Sequence, residues 1–174
     1  MKKSIVKWQL LGFAITCIAG TLLHFLYEWL GEPTLLAPFS AVNESTWEHM
    51  KILYWPMFFF TIVQALYFKE YKDFWAIKLK GILLGLILIP TLFYSYNMII
   101  GESPSWVNIS IFYISAAAAY FFEAISLNKK ARPFGYTKIC INLLCFIGAF
   151  FIITTFFPLE LEIFRDPTTG LYGK

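Results

Sequence analysis

Five apolar runs, at about 8–29, 50–68, 81–100, 106–127 and 139–158, take up most of the 174 residues. Each is near the roughly 20 residues that a helix needs to cross the hydrocarbon of a bilayer. In lipid a backbone has to satisfy its own hydrogen bonds, so runs of this length and kind fold as helices and pack against one another. The sequence therefore predicts an all-α membrane protein: a five-helix transmembrane bundle, one integral membrane domain over 1–174, with a short tail at 159–174. Only 14% of residues are charged, where a soluble domain carries about a quarter, so a separate soluble domain is not expected. Lys2, Lys3 and Lys7 ahead of the first run resemble the start of a signal peptide. That run is about 22 residues long, more than a signal sequence uses, and it reads as a retained span.

The polar segments between the runs alternate in charge. One side holds Lys2, Lys3, Lys7, Lys69, Lys72, Lys78, Lys80, Lys129, Lys130, Arg132 and Lys138. The other holds only Lys51, Arg165 and Lys174 among its cations, with Glu32, Glu44, Glu48, Glu102, Glu160, Glu162 and Asp166. Basic loops stay cytoplasmic, which puts the N-terminus inside and the C-terminus outside. The net charge of +3 thus speaks of topology and not of nucleic acid as a partner. The expected partner is the lipid bilayer, and Trp8, Trp29, Trp55, Trp75 and Trp106 fall near span ends where interfacial aromatics belong.

Small residues mark where helices touch. Gly12, Thr16, Gly20, His24 and Glu28 recur every fourth position along the first span. Gly81 and Gly85 form a Gly-x-x-x-Gly that suits either packing within the bundle or an oligomer seam, and Ala116 to Ala119 thin the fourth span. Pro56 and Pro90 remove backbone donors from the second and third spans. Cys17, Cys140 and Cys145 lie in apolar runs, an odd count without a Cys-x-x-Cys, and read as packing residues.

Ionisable groups beside hydrocarbon are costly and tend to mark function. His24 and Glu28 lie about 40° apart on one helix face. Asn43, Glu44, Ser45, Glu48 and His49 gather before the second span, and the loop of about 14 residues at 30–43 lets the two helix ends meet. Ser45 with Glu48 fits a capping box, and Glu48 with Lys51 fits an i,i+3 pair, so part of this motif belongs to any helix start. Glu48 and His49 point about 100° apart on an ideal helix, so not every side chain can converge. The combined set His24, Glu28, Asn43, Glu44, Glu48 and His49 is a candidate ligand-binding site on the outer face. Its nitrogen and carboxylate donors, His24, Glu28 and Glu48 first, suit a divalent metal ion; without a metal they suit a proton or a small cationic ligand. Deeper and toward the inner face, Gln64, Glu123 and Asn142 form a second candidate site, either a hydrogen-bonded contact between helices or a relay station. Asn97 and Asn108 are placed to line an upper cavity. The alternation Leu159, Glu160, Leu161, Glu162, Ile163 predicts an extended segment with one apolar face folding back over the helix ends.

Three separated motifs carry a resemblance. His24-Phe25-Leu26-Tyr27-Glu28-Trp29, Val42-Asn43-Glu44-Ser45-Thr46-Trp47-Glu48-His49, and Phe164-Arg165-Asp166-Pro167-Thr168-Thr169-Gly170-Leu171-Tyr172-Gly173 are similar to those of a family of small bacterial membrane proteins without assigned function. The resemblance implies about five spans in a bacterial cytoplasmic (inner) membrane, and it implies no activity. Three functions stay open from sequence. One is binding or transport of an ion or small cation. The second is a metal-dependent hydrolase at the membrane interface, and the third a structural subunit of a membrane assembly.

Overall fold

The computed structural model describes residues 2–129 and 136–173. Among these residues are five helices long and apolar enough to cross a membrane: α1 (Lys3–Trp29), α2 (Thr46–Tyr67), α3 (Phe74–Ile99), α4 (Ser105–Asn128) and α5 (Thr137–Phe156). Each covers one of the apolar runs to within two residues of its end. α1 and α3 start earlier than their runs because lysines interrupt the first two turns, Lys3 and Lys7 in α1 and Lys78 and Lys80 in α3. α2 and α3 continue through Pro56 and Pro90. Lys130, Arg132 and Lys174, part of the charge asymmetry, lie outside the described residues.

α1 packs on α2 and α4, and α3 packs on α2 and α4, so the first four helices close a ring; α5 lies outside it against α3 and α2. The Lys2 backbone N–H donates to Asn128 Oδ1 at 2.9 Å, placing the start of α1 beside the end of α4. At the opposite end Asn43 Nδ2 donates to the Gly173 carbonyl at 2.9 Å, joining the α1–α2 loop to the tail. The two ends are called below the basic end and the tail end.

Small residues set the ring's spacing. A Cβ on Gly12 would stand 2.5 Å from the Phe60 ring and 2.6 Å from that of Tyr120, so α1 can sit this close to α2 and α4 only with glycine there. Next to it Thr16 Oγ1 and the Tyr120 hydroxyl share a hydrogen bond of 2.8 Å. Gly81 and Gly85 are buried against Glu123 and Ala119 of α4 and Leu53 of α2, so this face packs within the chain.

The tail folds onto the tail end. A single 3-10 turn, Glu162–Phe164, breaks the expected alternation: Leu159 and Leu161 are exposed, and Phe164 is buried against Trp47 with ring centroids 4.5 Å apart. A lone antiparallel bridge between Arg165 and Tyr172 closes the turn after it. Asp166 anchors that turn, accepting from Thr168 N–H at 2.7 Å and the Thr169 hydroxyl at 3.0 Å.

Candidate metal site at the tail end

The loop that follows α1 is held from beneath by the first three turns of α2. Ser45 caps α2, its hydroxyl accepting from Glu48 N–H at 3.3 Å. The Glu48 carboxylate does not close the capping box on Ser45; it accepts from Val42 N–H at 2.9 Å and pairs with Lys51 Nζ at 2.6 Å. Lys51 has no exposed surface, and its other protons go to the Ala37 carbonyl at 2.8 Å and the Thr155 hydroxyl at 2.9 Å. Trp55 Nε1 donates to the Pro38 carbonyl at 2.9 Å. The chain between the two spans is thus tied down at Ala37, Pro38 and Val42, just ahead of Glu44.

Glu44 is thereby delivered between two imidazoles. Its Oε2 lies 3.5 Å from His24 Nε2 and 3.8 Å from His49 Nε2, and the two rings stand 5.1 Å apart at 72°. One donor atom from each of the three residues falls within 4.8 Å of the others. His49 Nδ1 lies 2.9 Å from the Ser45 carbonyl, one turn back. A carbonyl can only accept, so Nδ1 carries the proton and Nε2 of the neutral ring turns a lone pair toward Glu44. A ring nitrogen fixed by a backbone carbonyl while the other faces a cluster of donors is the arrangement found around metal-ligating histidines.

The His24 imidazole beside Glu44 holds its carboxyl below the ordinary value of 4.5, outweighing the upward push of partial burial. Because the folded value is the lower one, this contact stabilises the fold above about pH 4.5. The contribution is lost as pH falls through the folded pKa. At neutral pH Glu44 is therefore a carboxylate hydrogen-bonded to His24, and a metal ion entering the trio would displace the His24 proton to gain two imidazole nitrogens and one anionic oxygen. Asp166 adds charge nearby, but both its oxygens are taken by Thr168 and Thr169. A cavity of about 20 Å³ adjoins the trio, lined by Glu44, Thr46, His49, Phe93, Asn108 and Phe112 among others. That is room for about one water.

The expected outer residues thus divide. His24, Glu44 and His49 come together. Glu28 is exposed on α1: each four-residue step turns about 40°, so the stripe from Gly12 drifts, and Tyr27, seven residues after Gly20, takes the buried position. Glu48 is engaged by Lys51 and Val42, one residue from His49 but pointing away from it. Asn43 braces the loop, its Oδ1 accepting from Ser45 N–H at 2.9 Å and its Nδ2 reaching the tail. The candidate donor set is accordingly His24, Glu44 and His49 in place of His24, Glu28 and Glu48. Of the inner candidates, Glu123 is buried in an ion pair with Lys78, Gln64 is buried with Nε2 3.4 Å from the Trp8 carbonyl, and Asn142 is exposed on α5.

These histidines and Glu44 fall within two of the three motifs singled out above. The model of a "Family of unknown function (DUF6512)" matches residues 1–174. The chain belongs to this family. No curated protein and no solved structure matches it. DUF6512 membership brings no activity, so what the trio does has to come from its own chemistry.

Proposed function

We propose that this protein spans a bacterial cytoplasmic membrane and binds a divalent transition-metal ion on its outward face, through His24, Glu44 and His49. The observation that carries this reading is the convergence of three donor atoms, with His49 held by Ser45 so that Nε2 faces Glu44. Ligands of a tetrahedral zinc ion with bonds of about 2.0–2.1 Å stand roughly 3.3 Å apart. Contacts of 3.5 and 3.8 Å are close to that spacing, and the two imidazole donors lie within 4.8 Å of each other. Two imidazoles and one carboxylate leave a fourth position, and the water-sized cavity beside Glu44 and His49 is the place for it. Among the residues lining that cavity Glu44 is the sole carboxylate, and as a ligand it is not free to act as a general base. This favours ion binding over metal-assisted hydrolysis.

Elemental analysis of the protein, purified in detergent and equilibrated with zinc, tests the reading. We expect about one equivalent of metal in the wild type, loss of it in His24→Ala and in His49→Ala, and its retention in Glu28→Ala. A metal-free wild type, or full occupancy in both histidine variants, would contradict it. The outward orientation rests on the basic loops and has its own test. A reporter fused after Lys174 should be active outside the cytoplasm, and one inserted at Lys129 inside; the opposite pattern reverses the face on which the site opens.

A further inference from the structure

A second polar centre lies inside the ring near the basic end, with one side chain from each of its four helices. Lys78 of α3 and Glu123 of α4 form an ion pair with no exposed surface on either partner, and Lys78 Nζ stands 5.2 Å from the centre of the Tyr120 ring. α1 runs antiparallel to α2 and α4, and Gly12 faces both Phe60 and Tyr120. One turn toward the basic end, the same register puts Gln9 opposite Gln64 and Glu123. The hydrogen-bonding distance from Gln64 Nε2 to the Trp8 carbonyl agrees with that register.

The layer is closed along the bundle in both directions. Ile5, Phe68, Phe74 and Leu127, each four residues nearer the basic end than Gln9, Gln64, Lys78 and Glu123 respectively, pack together as one apolar cluster. On the other side stand Phe60, Ile82, Ala119 and Tyr120, members of the main core. Yet the enclosed polar groups are not satisfied by one another. Among the described residues Gln9, only 3% exposed, has no partner for either amide atom, and Gln64 Oε1 and Glu123 Oε1 have none. Four buried polar atoms without partners are a large uncompensated cost.

We propose that Gln9, Gln64, Lys78 and Glu123 enclose an internal water site, in which water donates to Glu123 Oε1 and bridges it to the Gln9 and Gln64 amides. The donor balance selects the ligand. Three unpartnered oxygens and one amide NH₂ need a molecule that mainly donates and also accepts, which water does. The Glu123 charge is already balanced by Lys78, so an added monovalent cation would leave a net positive charge sealed between apolar layers.

The sign of one substitution separates a hydrated layer from a dry one. Gln9→Met keeps the side chain's length and removes its polar atoms. If Gln9 holds water, the variant strands that water and lowers the thermal midpoint in detergent by roughly 2–4 °C. If Gln9 is a dry orphan, methionine is the better residue and the midpoint stays or rises, which overturns the proposal. An experimental structure of the wild type in lipid, at a resolution that shows waters, must also place one about 2.6–3.2 Å from Glu123 Oε1 and within reach of Gln9. A direct Gln9–Glu123 hydrogen bond with no water overturns the proposal, as does a midpoint that rises when sodium chloride replaces choline chloride.

Discussion

Lys78→Met is expected to destabilise the protein by about 3–5 kcal/mol, the range for removing one partner of a buried ion pair. The methionine fills nearly the same space, so the loss comes from what stays behind. Glu123 would have no counter-charge in a position closed to bulk solvent, and Gly81 packs directly against its carboxyl group. The double variant Lys78→Met/Glu123→Leu should recover most of the loss, since a well-packed apolar pair of similar volume often does as well as the ion pair it replaces. Unfolding in detergent by denaturant or heat measures both. A single variant as stable as the wild type would show that the two side chains are not buried together.

Lys51→Met should cost a similar amount and in addition weaken metal binding by about 10–100-fold, the usual effect of removing a group that supports a ligand from behind. Lys51 makes three contacts within 2.9 Å, to Glu48, the Ala37 carbonyl and Thr155. Without it Glu48 is left as an unpaired buried carboxylate, and its hold on Val42 weakens along with the tie at Ala37. Those ties fix the backbone that carries Glu44. Zinc titration of the refolded or detergent-stabilised variant reads the second effect apart from the first. Unchanged zinc affinity would show that Glu44 finds its position without the loop being anchored.

The spans were legible because length and hydropathy act over some twenty residues at once, and no tertiary detail is needed to see them. What escaped were single residues near span ends. Lys51, read as the i,i+3 partner of Glu48, and Lys78, read as a loop cation beside an apolar run, are each buried within a helix on a carboxylate, Glu48 and Glu123. An i,i+3 spacing announces the first pair; nothing in the sequence links Lys78 to a residue 45 positions away. Glu28 looked like a partner for His24 because 40° is a small angle, but from Gly20 it has turned about 80°, which is enough to leave the packed face. Glu44 was legible only as a member of a cluster, since its place depends on where the loop is tied. Gln9 was missed altogether. Its spacing of three and seven residues to Gly12 and Thr16 was the available sign that this amide faces the ring and not the lipid.

The metal trio is the central claim, and the most direct test of it is the X-ray absorption spectrum of the zinc-loaded protein. Scattering from two imidazoles and one or two oxygens, with first-shell bonds of about 2.0–2.1 Å, is the expected result; in His49→Ala the imidazole contribution should fall to one or the metal be lost. A first shell of oxygens alone, or a spectrum unchanged by His49→Ala, would contradict the assignment of His24, Glu44 and His49 as the ligands.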